Sequence, residues 1–345
     1  MSLQKSTTVR DIPVADELDD ARVRTEDLPL ALPGRAPVPQ RTAFAALDTV
    51  APALAARLAD HQWFRLTPPP DPASRRHSTP PGGRAFTTVH GGLTVRGQVY
   101  GPDDAPTAHL VHGWAGWWQQ LSGFVGPLLE AGYRVVAHDA PSHGDSPPGH
   151  YGPRSSRVME IADAFAAVVW QQGPADLVVA HSIGAMSVMW ARERGSTGAG
   201  AYAFLAATAA VEPMVDAFRH SLDLGPRTTH LLARRVERRV GHPFTAFDVP
   251  GMSRRLVDAG TVPPLLSIHD RGDRMAPARG SVDIARAWPG AELVLTDGLG
   301  HRQLLRDETT IARVARFAAQ HHPGAQATST PVPSSANSRS ASPIR

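Results

Sequence analysis

From about residue 84 the chain alternates between short apolar runs and longer stretches in which apolar residues recur every three or four positions. Segments 86–90 and 93–100 flank Gly91-Gly92 and predict a hairpin. Further strands are predicted at 109–112, 133–137, 176–180, 201–206, 264–268 and 292–295, and helices at 124–131, 155–172, 278–288 and 302–320. Strands that alternate with helices of this length predict a mostly parallel sheet covered on both faces, an α/β fold. Residues 209–260 interrupt the alternation with Arg-bearing helical segments broken by prolines at 213, 226, 243 and 250. An insertion between strands is a natural place for a helical lid. Ahead of the alternating region, Phe44, Leu47, Val50, Leu54 and Leu58 keep helical spacing, followed by Trp63-Phe64 and a proline-dense linker. Residues 1–40 and 322–345 lack apolar periodicity, so disorder is expected there. The expected organisation is an N-terminal extension over 1–83 with one helix and a Pro-rich linker, an α/β domain over 84–321 with its insertion at about 209–260, and a tail over 322–345.

Composition narrows the chemistry. The 345 residues are 42% hydrophobic, enough for a sizeable core. Lys5 is the only lysine, and the formal net charge is +3, which does not mark a basic face for nucleic acid. The paired arginines 234–235 and 238–239 read as a solvated helix face. With no cysteine, disulfides, thiol nucleophiles and thiolate metal sites are excluded. No run of 18 apolar residues and no apolar N-terminal leader are present, so a cytoplasmic protein without a membrane span is expected, acting on a small molecule. The sequence leaves the oligomeric state open.

The strongest chemical signal is Ala180-His181-Ser182-Ile183-Gly184, between an apolar strand and a helix of small residues. A serine on such a sharp strand-to-helix turn presents its hydroxyl above the sheet. Serine needs a base, and His301 follows the strand 292–295, while Asp273 follows the strand 264–268. Asp270, three residues earlier, is a rival for the acid. The N–H groups of Ile183 and of Trp114, which follows Gly113 after the strand 109–112, are the expected oxyanion donors. His112 reads as a structural histidine of that loop. Trp117 and Trp118 are candidates for the pocket wall, with Met214 and Phe218 from the insertion. His138, Asp139, His143 and Asp145 lack metal-ligand spacing, so neither a metal nor a cofactor is expected.

Taken together, His112-Gly113-Trp114, the Asp-Ala-Pro-Ser-His-Gly-Asp-Ser run at 139–146, the turn at 180–184, Asp273 with Pro277, and Gly300-His301 resemble the α/β-hydrolase superfamily, and within it the lidded serine hydrolases. The resemblance covers about residues 84–320. It implies a central sheet of about eight strands, a Ser–His–Asp triad and an acyl-enzyme route to ester cleavage. An acyltransferase, thioesterase, lactonase or cofactor-free perhydrolase would use the same groups. Haloalkane dehalogenases and epoxide hydrolases are disfavoured, because both would carry an aspartate where Ser182 stands. A non-catalytic ligand-binding protein on the same fold is the alternative from another class.

Overall fold

Five strands made almost wholly of buried residues form the middle of the sheet: β4 (Thr107–Val111), β5 (Arg134–Asp139), β6 (Ala175–His181), β7 (Ala199–Leu205) and β8 (Leu265–Asp270). A strand covered on both faces needs apolar side chains in both directions, which is why these segments do not alternate with polar residues. A computed structural model describes residues 10–12, 34–195 and 197–324. Among these residues the sheet has nine strands. β1 (Arg10–Ile12), the hairpin β2 (Arg84–His90) and β3 (Leu93–Tyr100), and β9 (Glu292–Thr296) complete it, in the order β1-β9-β8-β7-β6-β4-β5-β3-β2. β5, β4, β6, β7, β8 and β9 are parallel, while β1, β2 and β3 join the edges in antiparallel pairs. β1 lies in the segment read as lacking order. Of the expected unstructured tail, all beyond residue 324 lies outside the described residues.

Helices cover both faces. α4 (Val125–Glu130) and α12 (Glu308–Gln320) pack over one core, and α5 (Val158–Gln172), α6 (Ile183–Glu193) and α10 (Arg279–Arg286) over the other. The helix expected at 302–320 is interrupted. α11 (Gly300–Gln303) ends, a single 3-10 turn follows, and α12 starts where the Asp307 carboxylate accepts from the Thr310 N–H. That carboxylate satisfies an otherwise orphaned donor and gives the new helix a better start than continuation would.

Between β7 and β8 stand α7 (Glu212–Leu222), α8 (Pro226–Val240) and α9 (Val249–Asp258). Each carries a proline in its first turn, where a missing N–H costs nothing. The N-terminal region holds α1 (Val38–Val50) and α2 (Pro52–Trp63), not one helix, and a short α3 (Pro72–Arg76). Pro52 breaks the register: Ala51 leaves the helical conformation to accommodate it. α2 packs against α8 and buries Ala55, Ala56 and Ala59. Arg235 and Arg239 of α8 do not form a free solvated face. Both ion-pair with the buried Asp60 of α2, at 3.7 and 2.8 Å. Among the described residues no helix is long and apolar enough to cross a membrane.

Candidate active site

Ser182 is the hinge between β6 and α6, with φ 56° and ψ −126°. A side-chain-bearing residue rarely adopts that backbone, and holding it costs of order 1–3 kcal/mol. The turn is possible because its neighbours are small. A Cβ on Gly184 would lie 2.7 Å from the His112 carbonyl oxygen, and one on Gly113 would lie 2.9 Å from Ser182 Cβ. The loop after β4 therefore sits directly against the turn. His112 locks that loop: its Nδ1–H donates to the Gly113 carbonyl (2.8 Å), and its Nε2 accepts from the Ala140 N–H (3.0 Å). Burial lowers its pKa to about 4, so the imidazole is neutral and can accept that bond.

Two loops at the carboxyl ends of β8 and β9 bring the other groups. His301 Nε2 stands 3.0 Å from Ser182 Oγ, and His301 Nδ1 donates to Asp273 Oδ2 at 2.6 Å. Asp273 Oδ1 accepts from the N–H groups of Met275 (2.7 Å) and Ala276 (3.0 Å). Burial acts to raise the Asp273 pKa, but hydrogen bonds from His269 and His301 outweigh it and hold the carboxyl well below its ordinary range. Asp270 faces elsewhere. Its oxygens accept from the Gly272 N–H (2.9 Å), Thr296 Oγ1 (3.0 Å) and the Leu299 N–H (2.8 Å), tying the two loops together.

Three residues that the sequence reading passed over also take part. His269 is wholly buried, accepts from Ser281 Oγ (2.7 Å), and points its Nε2–H at Asp273 Oδ2 (3.2 Å) and the Ala276 carbonyl (3.1 Å). His181 donates from Nε2 to the backbone carbonyl of His301 at 3.0 Å, and burial with the adjacent His301 pushes its pKa well down. Thr208 Oγ1 is 3.5 Å from Ser182 Oγ, and its N–H donates to the Ser182 carbonyl. The sequence assigns none of them a role: the contacts of His181 and Thr208 and the Ser281 brace on His269 join segments that only the fold brings together, and the local His269–Asp273 contact depends on how the loop after β8 turns back.

An apolar cavity of about 390 Å³ is walled in part by Ile183, the residue after Ser182. Trp114, Ile183, Met214 and Phe218 line it. Trp117 and Trp118 do not, which corrects the expectation for both. A 3-10 helix starts at Trp118, and it turns that indole into the opposite core, 6.3 Å from the Tyr100 ring. Trp117 caps this helix. Among the described residues no group of three His, Asp or Glu side chains is arranged to hold a metal ion.

A model of the alpha/beta hydrolase family matches residues 110–317, more than half of the chain. A bifunctional esterase/perhydrolase of Acinetobacter calcoaceticus is 34% identical over 116 residues, 30% of this chain and 37% of that protein, so the match spans well under half of the relative's length. Among solved structures, the esterase RhEst1 of a Rhodococcus species superposes with a TM-score of 0.50 at 17% identity, over 69% of this chain and 98% of that one. A thermophilic esterase of Thermogutta terrifontis gives 0.51 at 14% identity, over 70% and 99%. A haloalkane dehalogenase of Bradyrhizobium elkani also gives 0.51, at 17% identity, over 72% and 100%. Esterases and a dehalogenase fit equally well, so this likeness speaks for the fold and not for the reaction.

Proposed function

The chain belongs to the alpha/beta hydrolase family, and on that premise we propose that it is a serine hydrolase cleaving ester-type bonds through an acyl-enzyme. The observation that carries the reading is the line Ser182 Oγ, His301 Nε2 and Nδ1, Asp273 Oδ2, with separations of 3.0 and 2.6 Å. His301 takes the Ser182 proton as Oγ attacks the carbonyl carbon. Asp273 fixes the tautomer that leaves Nε2 free to accept, and it stabilises the imidazolium that forms. The N–H groups of Trp114 and Ile183 receive the oxyanion, Ile183 at the start of α6 where unpaired donors and the helix dipole favour negative charge. His301 returns the proton to the leaving alcohol. Water, deprotonated by the same nitrogen, then releases the acid. The helices α7 to α9 form a cover over this site.

The test is hydrolysis of p-nitrophenyl butyrate by Ser182→Ala. Turnover falls to background while the thermal transition persists. Undiminished turnover would overturn the reading.

The likeness to an esterase/perhydrolase supports a second use of the same groups. Hydrogen peroxide in place of water at the deacylation step would give a peracid. Peracetic acid formed from acetate and peroxide, and abolished by Ser182→Ala, checks this; peracid formation that persists in Ser182→Ala overturns it.

A further inference from the structure

The apolar cavity walled in part by Ile183 is not built by the hydrolase core and its inserted helices alone. Gly34, Trp63 and Phe64 also line it, and all three precede the first strand of the β2–β3 hairpin and lie outside the segment that the family model matches. We propose that α1 and α2 act as a strap closing the acyl site, and that Trp63 sets the length of an unbranched, medium-chain aliphatic acid. This rests on the serine hydrolase reading of Ser182.

The strap is fastened at both ends. At its beginning the Ala36 N–H donates to the Ser221 carbonyl (2.9 Å), and Arg41 pairs with Asp223 (2.9 Å) just past α7. At its end the Leu66 N–H donates to the Arg154 carbonyl (2.8 Å), the Ser156 N–H reaches the Phe64 carbonyl (3.4 Å), and Asp60 holds Arg239. Asp60 is only 1% exposed, and Arg239 reaches it from the solvent side of α8. Removing the arginines would leave the buried Asp60 carboxylate unpaired, which is costly and favours the docked arrangement. Between these anchors Trp63, the last residue of α2, meets Phe218 of α7 edge to face, with ring centroids 5.2 Å apart. Each of these two rings is held in place by the other.

The chemistry of the walls identifies the occupant. Trp114 and Ile183, whose N–H groups receive the oxyanion in the proposed mechanism, line the cavity, while neither Ser182 nor His301 is among its wall residues. The cavity thus opens on the carbonyl side of the site and is assigned to the acyl chain. Its volume of about 390 Å³ lies at the small end of the roughly 300–1,000 Å³ usual for ligand sites. Met159, Met214 and Met275 contribute unbranched, polarisable side chains that conform to a flexible chain. Among the described residues the one charged wall residue, Arg157, is engaged elsewhere. Its guanidinium lies 3.6 Å over the Tyr151 ring and donates to the Arg239 carbonyl (2.7 Å). A neutral chain fits these walls, and a dicarboxylic acid does not.

The experiment compares kcat and KM for p-nitrophenyl acetate, octanoate and dodecanoate in the wild type, Trp63→Ala, Trp63→Leu and Trp63→Phe. Trp63→Leu, which keeps the site apolar, stands in if the alanine variant does not fold. Leu54→Ala, on the exposed outer side of α2, is the control. Wild type prefers octanoate. Removing the indole raises the dodecanoate-to-octanoate ratio of kcat/KM about tenfold, the scale of pocket-size discrimination, mainly through KM. Trp63→Phe restores part of the preference and Leu54→Ala leaves the ratio unchanged. A constant ratio across the Trp63 variants, or equal losses on all three esters, overturns the strap as a length gauge while leaving the serine hydrolase reading intact. A wild type that cleaves none of the esters overturns both.

Discussion

His269 Nε2 lies 3.2 Å from Asp273 Oδ2, the same oxygen that His301 Nδ1 approaches at 2.6 Å. One carboxylate oxygen thus accepts from two imidazoles, one that reaches Ser182 and one that does not. The inner histidine is braced in turn by Ser281 Oγ. This makes His269 a positioning residue. A hydrogen bond to a charged group is worth about 1.5–3 kcal/mol, so His269→Phe is expected to lower kcat about ten- to a hundredfold with little change in KM. His269→Gln keeps a donor and recovers most of the rate. Unchanged kcat in His269→Phe would show that the bond is idle.

The two aspartates of the loop after β8 separate by readout. Asp273→Asn disturbs the His301 tautomer and is expected to reduce kcat by about 10⁴, with fold stability less affected. Asp270→Asn weakens two bonds that tie the β8 loop to the β9 segment and one within the β8 loop, so its main effect is a lower Tm, measured by calorimetry. The reverse pattern would exchange their roles.

Asp273, His301 and Ser182 stand out in the sequence because each sits in a short loop directly after a recognisable strand, so local pattern carries the information. The supporting residues do not. His269 is a strand residue like any other until β8 packs beside α10, and Asp60 looks like an exposed helical carboxylate until α8 covers it. The run Trp114, Trp117, Trp118 shows the limit in a single loop. Only Trp114 faces the cavity, because a 3-10 helix beginning at Trp118 sends that ring into the far core. Apolar spacing gives the likelihood of burial but not the side of the sheet. The break between α1 and α2 was readable from Pro52, whereas the docking of α2 on α8 and of α1 on α7 was not.

Strain at Ser182 gives a stability prediction. Its φ of 56° and ψ of −126° suit glycine, so Ser182→Gly relieves part of about 1–3 kcal/mol. Tm is expected to rise by a few degrees, about 2–4 °C per kcal/mol in a domain of this size, as activity is lost. A lower Tm would mean that the Ser182–His301 bond outweighs the strain.

Buried histidines set the acid limit of the fold. Burial lowers the pKa of His109 and His112 from 6.5 to about 4, and that of His143 to about 3. The unfolded chain binds these protons first, so their stabilisation is complete above pH 6.5 and is lost as pH falls through their folded values. Tm is expected to drop steeply between about pH 6.5 and 4. His109→Gln, remote from Ser182, is expected to flatten that slope. A slope identical to that of the wild type would remove His109 from the account.

The most direct test of the central claim is labelling with a fluorophosphonate, followed by intact-mass measurement and mapping of the modified peptide. The account predicts a single adduct on Ser182, formed rapidly in the wild type, much more slowly in His301→Ala, and not at all in Ser182→Ala. A wild-type protein that stays unlabelled, or an adduct of equal yield in Ser182→Ala, would contradict it.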